Sequence, residues 1–324
     1  MKTLMTATSR IMGLAFAATM AFSCATPQSE KTGDSEVVKG TASLTDTVQQ
    51  ISAGKPVVSS VANNRWVELR NSNDPVAKMM ATLATDDWQS AVALAHNHLE
   101  KNPGNQDGLT VLVAALALGK KYDLSTYYAR KLEKLFPNSS LAFNVQGLTL
   151  MLGAHNRIAD YRRAKSFFQK AIETNPGEIA AALNLGHLAL EMGNAEEASQ
   201  AFDKAASRCG NCTHALVGQG IAYARLGNWD RAAGSFERVL KAFPDHSRAL
   251  FHLALVHKNG YNDRNKAESY LRKLLQTAGD SEGVLRRKAT FVLRIILADK
   301  KEQKADSKEN SIDKDETPPS PEEF

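Results

Sequence analysis

Two of the three cysteines in this 324-residue chain lie in one short run, Cys209-Gly210-Asn211-Cys212. Thiols so spaced have three chemical outlets: a disulfide across a four-residue turn in an oxidising compartment, two free thiols, or a metal or redox centre. The metal outlet is poorly supplied, because one Cys-x-x-Cys gives two of the four ligands zinc takes and His214 adds at most a third. A redox centre of this spacing needs its first cysteine at a helix N-terminus, where the backbone dipole favours the thiolate. The apolar pattern puts Cys209 at a helix C-terminus instead. A Cys209–Cys212 disulfide is therefore the leading expectation, with free thiols the alternative and no metal. The eight histidines, at 96, 98, 155, 187, 214, 246, 252 and 257, are scattered. His96 and His98 are two apart and point to different faces of a helix, and the five-residue gap between His252 and His257 is also poor for one face. There is no nucleophile constellation, glycine-rich phosphate loop or paired-carboxylate motif. The chain is expected to be no enzyme, with no catalytic residues and no cofactor.

The elements that carry these residues follow a fixed beat. Prolines recur at Pro103, Pro137, Pro176 and Pro244, at intervals of about 34 residues or twice that, and an aromatic (Trp88, Tyr122, Tyr161, Trp229) opens the second helix of most units. A small residue recurs one turn on, at Ala91, Ser125, Ala164, Ala198, Ala232 and Ala267. A filler follows it at Ala95, Ala129, Phe168, Phe202, Phe236 and Leu271. Gly147, Gly186 and Gly220 mark close approach on the first helices, with Met79, Val113 and Ala254 there in the outer units. The pattern divides the chain into six helical hairpins, 72–105, 106–139, 140–178, 179–212, 213–246 and 247–281. The third is enlarged by a loop insertion around 155–160. A final helix over 282–299 covers the last open face.

The unit 213–246, with Gly220, Tyr223, Trp229, Ala232, Phe236 and Pro244, resembles the tetratricopeptide repeat. The resemblance spans about two thirds of the chain. It implies an all-α tetratricopeptide-repeat superhelix of about six hairpins plus a capping helix, acting by binding rather than catalysis. Members of that family hold extended peptides or helices in a concave groove lined by first helices. On this chain those positions are Leu183, His187, Leu190, Val217, Ile221, Arg225, Phe251, Leu255 and Lys258, with His214 and Arg248 at the edge. That is an apolar strip with basic heads, suited to a partner with apolar anchors and negative charge. Asn144, Asn184 and Arg248 stand on the groove side but do not reproduce the set with which some members clamp a carboxylate.

The ends read differently. Lys2, Arg10 and the apolar run from Ile11 to Phe22 form an export signal over 1–23. The run Ala21-Phe22-Ser23-Cys24 resembles a bacterial lipobox, although Ala21 stands where that family prefers Leu. By this resemblance Cys24 is lipidated; the alternative is an ordinary signal peptide cut near Ala25, with Ser23-Cys24-Ala25 as the small-residue site. The absence of an acid after it implies the periplasmic face of the outer membrane. Residues 24–71 are poor in large apolar groups and read as a disordered, lipid-anchored tether, spanning roughly 35–40 Å as a coil. Residues 300–324, with five Lys and eight acids, read as a charged disordered tail. Net charge is +5 over the whole chain, too little to imply nucleic acid. The expected role is a periplasm-facing scaffold lipoprotein that binds envelope proteins. It resembles the repeat lipoproteins of gliding-motility machines and the pilotins that assist a type IV pilus secretin. An accessory subunit of a cell-wall enzyme is the third reading.

Overall fold

In the computed structural model the described residues are 71–84, 87–154, 157–209, 212–279 and 282–312, with side chains described through 302. The export signal, Cys24, all of the tether but its last residue, and 313–324 lie outside them. The described residues form thirteen helices: α1 Pro75–Ala84, α2 Trp88–Lys101, α3 Gln106–Leu118, α4 Tyr122–Leu135, α5 Ser140–Gly153, α6 Ile158–Thr174, α7 Ile179–Glu191, α8 Ala195–Cys209, α9 Thr213–Arg225, α10 Trp229–Ala242, α11 Ser247–Asn259, α12 Arg264–Thr277 and α13 Gly283–Ile312. Each expected hairpin holds two of them. The chain divides into two compact units, the first ending at Leu226 and the second starting at Gly227, so α1–α9 and α10–α13 are taken separately.

The helix starts follow local chemistry. Side chains of Asp87, Asn105 and Ser139 accept the N–H of Ser90, Gly108 and Ala142 at 3.1, 2.7 and 3.2 Å, closing the open ends of α2, α3 and α5. Trp88, Tyr122 and Trp229 each open a helix, as the beat requires, but Tyr161 lies three residues inside α6. The insertion in the third hairpin thus partly lengthens the second helix. Asp160, in the first turn of α6, faces the positive helix end and pairs with Arg157 at 2.6 Å and Arg163 at 3.6 Å. At the other end α13 runs to Ile312, well into the stretch expected as tail. Lys, Glu, Gln and Ala are strong helix formers, and no proline intervenes before Pro318.

The recurring small residues are all sealed: Ala91, Ser125, Ala164, Ala198, Ala232 and Ala267. Ser125 is the polar one, and its hydroxyl is satisfied by the Val113 carbonyl at 2.9 Å and the Thr149 hydroxyl at 2.8 Å. The aromatic beat has a packing cause. The Trp88 indole lies where a Cβ on Gly119 would come within 2.4 Å of it, and Trp229 lies 2.5 Å from such a Cβ on Gly260. Each tryptophan therefore needs the glycine that ends a first helix. Gly234, inside α10, has nothing within 4 Å of a built Cβ. Gly234→Ala is expected to raise stability by about 0.5–1 kcal/mol through helix propensity alone, seen as a higher midpoint in urea with an unchanged slope.

Candidate functional site

The first helices of the first unit, α5, α7 and α9, pack side by side, and this packing takes most of the apolar strip expected in the groove. Leu183 is 1% exposed, Leu190 8% and Val217 3%. They fill the seams between neighbouring first helices and offer a ligand almost no surface, which corrects their expected place on the groove wall. What stays accessible from that set is His187, His214, Ile221 and Arg225. The His187 ring stands edge-on to Phe202 at 5.1 Å. Arg225, exposed at the end of α9, donates through its guanidinium to the Leu190 carbonyl. In the second unit Phe251 is likewise buried, edge-on to His252, while Arg248, Leu255 and Lys258 are half-buried. Burial lowers the affinity of Arg248 for its proton, and the charge of Glu282 opposes that loss. The accessible remainder is thus more basic and less apolar than the sequence implied.

Asn144 and Asn184 do not face a ligand. Both are fully buried, and the Asn184 amide donates to the Asn144 carbonyl oxygen at 2.9 Å, bridging α5 to α7. A second polar cluster went unseen in the sequence: Asp203 on α8 accepts from Gln219 at 2.7 Å and from the Tyr223 hydroxyl at 2.6 Å, pinning α9 against it. Tyr223 read as a simple packing residue, because its partner lies twenty positions away on the preceding helix.

A shallow groove of about 470 Å³ runs along α13 in the second unit, lined by Gly283, Arg286, Arg287, Thr290, Phe291 and Arg294. Leu285, Ala289 and Ile296 turn inward and are buried, while Phe291 on the outer face is 66% exposed. Val284 and Ile295 flank it, also exposed. The helix therefore covers the open end with one face only. Residues 283–298 carry Arg286, Arg287, Lys288 and Arg294 and no acid. That charge bias was legible in the sequence, but the stretch reads first as a cap.

Cys209 ends α8 and is half-buried, and Cys212 precedes α9 as its N-cap. The Cys212 thiol is held below its usual range first by a hydrogen bond from Cys209; burial opposes this, and the N–H groups of Ala215 and His214 add to it. Of the histidines, His155 lies outside the described residues. His246 caps α11, its Nδ1 accepting from the Ala249 N–H at 3.2 Å, and burial and the charge of Arg248 push it down to about 4. His257 stacks on Tyr270 at 5.4 Å. Among the described residues no three His, Cys, Asp or Glu side chains come together as a metal-ligand set, and no helix is long and apolar enough to cross a membrane.

Residues 159–211 and 217–280 match family models for the tetratricopeptide repeat. Over 226 residues the chain is 26% identical to Anaphase-promoting complex subunit 3 of Schizosaccharomyces pombe, covering 67% of this chain and 32% of that one. The chain thus spans about a third of that curated relative's length. Two solved structures share the fold at 18% identity. PilW, described as a widely conserved type IV pilus biogenesis factor, superposes with a TM-score of 0.52 over 62% of this chain and 91% of its own. PilF of Pseudomonas aeruginosa does so with 0.50 over 65% and 92%.

Proposed function

We propose that this chain, whose repeats match tetratricopeptide-repeat models over 159–211 and 217–280, is a non-catalytic, periplasm-facing lipoprotein that recruits envelope partners to a motility machine of the gliding type. Anchoring through Cys24 at the outer membrane is part of the proposal. The observation that carries partner binding is the α13 groove, where Phe291 is flanked by Arg287 and Arg294 with no acid nearby in sequence. A ligand for it offers an apolar anchor bordered by carboxylates. Arg225, Arg248 and Lys258 on the first helices carry the same sign of charge. A pilus-secretin assembly role is the second reading. It is favoured by the two pilus proteins that share the fold over about nine tenths of their own length. Service to a cell-wall enzyme is the third.

The test is mild crosslinking in cells followed by recovery of the full chain. Gliding-complex subunits in the recovered set support the first reading, secretin subunits the second and wall synthases the third. Arg287→Glu with Arg294→Glu is expected to cut recovery of the specific partner at least about tenfold without loss of folding, since both side chains are exposed. Undiminished recovery removes the α13 groove from the proposal. A Cys24→Ala chain that still fractionates with the outer membrane would overturn the anchor.

A further inference from the structure

The α13 groove has its complement within the same chain. Arg286 is already engaged, its guanidinium donating to the Ala278 carbonyl. Arg287 and Arg294, one turn to either side of Phe291, are both exposed. The ion pairs that α13 makes among the described residues lie further along, at Asp299 and Lys300. Two guanidinium groups thus flank an open ring. Residues 313–324 hold five acids against the single Lys314, and they include Glu322-Glu323-Phe324, an aromatic directly preceded by two carboxylates. That is the ligand form the groove fits: a ring to pack beside Phe291 and carboxylates for Arg287 and Arg294.

We propose that residues 313–324 fold back along the outer face of α13 and dock Phe324 beside Phe291, with Glu322 and Glu323 on Arg287 and Arg294, so that the chain masks its own groove. The reach suffices. α13 ends at Ile312, and at 1.5 Å per residue Phe291 lies roughly 31 Å back along it. Residues 313–324 in polyproline extension, which Pro318, Pro319 and Pro321 favour, span roughly 37 Å. The path is continuous, because Phe291, Ile295 and Ala298 recur at helical spacing and are all exposed. Charge points the same way: 283–298 carries four bases and no acid. A second copy's α13 would bring the same positive face and be repelled. Tethering adds to this, since a short link holds its ligand at an effective concentration on the order of millimolar. An outside partner must then displace the segment, and its apparent affinity falls with the fraction of grooves left open. Only the masking rests on the groove being the partner surface inferred above; the docking does not.

The test uses the full chain carrying Cys24→Ser, with the photoreactive analogue p-benzoyl-phenylalanine in place of Phe324, irradiated in dilute solution and mapped by mass spectrometry. A crosslink within one chain to residues 287–295 is expected. Arg287→Glu with Arg294→Glu is expected to cut its yield at least about tenfold. Adding Glu322→Arg with Glu323→Arg swaps the charges and is expected to restore it, which a general loss of folding would not allow. Crosslinks that fall outside α13, or a yield indifferent to the arginine reversals, overturn the docking. Crosslinks between two chains place the segment on a second copy and overturn it as well. Masking is read separately, by recovery of the partner from cells. Removing 313–324 is expected to raise that recovery at least about threefold. Unchanged recovery overturns the masking, and the arginine pair then shows whether the groove reading falls with it: recovery that still drops on Arg287→Glu with Arg294→Glu leaves that reading standing.

Discussion

Phe202→Ala is expected to destabilise the first unit by about 3–5 kcal/mol, the range for removing a fully enclosed aromatic side chain. Phe202 is 0% exposed on α8 and is held from two sides by glycines. A Cβ on Gly186 of α7 would come within 2.8 Å of its ring, and one on Gly218 of α9 within 2.4 Å. The ring also meets the His187 imidazole edge-on. It is therefore the plug that joins the fourth repeat to the first helix of the fifth, seated where both first helices lack a side chain. Gly218→Ala acts from the other side. Its methyl group must displace the ring, which costs about 1–3 kcal/mol against a helix-propensity gain of about 1 kcal/mol. In a Phe202→Leu background the smaller side chain gives way, so the added loss from Gly218→Ala is expected to shrink or change sign. Urea unfolding of the two single variants and the double variant measures this coupling. Strict additivity would show that the glycine is not there for the ring.

This plug marks how far the sequence could be read. Phe168, Phe202 and Phe236 recur at one phase of the repeat, and that phase alone implies burial between helices. The tryptophan and proline beats likewise placed the hairpins. The reason for the glycines was only half legible: Gly147, Gly186 and Gly220 read in the sequence as helix–helix approach points, and the structure shows Gly147, Gly186 and, two residues before Gly220, Gly218 making room for an aromatic ring. Candidate groove residues were harder. Leu183 and His187 are one helical turn apart on α7, yet the first is sealed and the second partly open. The separation between adjacent first helices decides which positions vanish into the seam, and a single repeat carries no record of that separation. Cys212 holds the N-cap position of α9 without a side-chain cap hydrogen bond. Cysteine is not among the usual capping residues, so the start of α9 at Thr213 carried no capping signal in the sequence. Phe291 read as core because an apolar helix at the end of an array is expected to cover it. On α13 the apolar positions exceed what one buried face can take.

Glu178→Gln is expected to stabilise the chain at pH 8 by up to about 3 kcal/mol and to make no difference near pH 4. Glu178 precedes α7 and is 2% exposed. One carboxyl oxygen accepts from the Ser140 hydroxyl at 3.2 Å and the other has no hydrogen-bond partner. Burial raises its pKa from 4.5 to about 7, outweighing the hydrogen bond from the Ser140 hydroxyl, which favours the charged form. Between those two values the folded chain holds a proton that the unfolded chain has lost. Stability therefore falls as pH rises from about 4.5 to about 7 and is level above that. A rise of about 2.5 pKa units corresponds to about 3 kcal/mol. His246, half-buried and pushed down to about 4, produces the opposite slope, gaining stability as pH rises from about 4 to about 6.5. The wild-type profile alone is therefore blurred by two opposing groups. The difference between wild type and Glu178→Gln isolates the carboxyl, because His246 is present in both, and glutamine keeps the acceptor that Ser140 needs. Thermal or urea unfolding across pH 4–8 should show this gap opening through the window. The companion contact in the second unit, Ser247 to Glu282 at 2.7 Å, involves a carboxylate that remains half-exposed and faces the charge of Arg248. Equal gaps at pH 4 and pH 8 in Glu178→Gln would mean that the carboxyl is ionised in the fold throughout, and that burial at the head of α7 does not hold its proton.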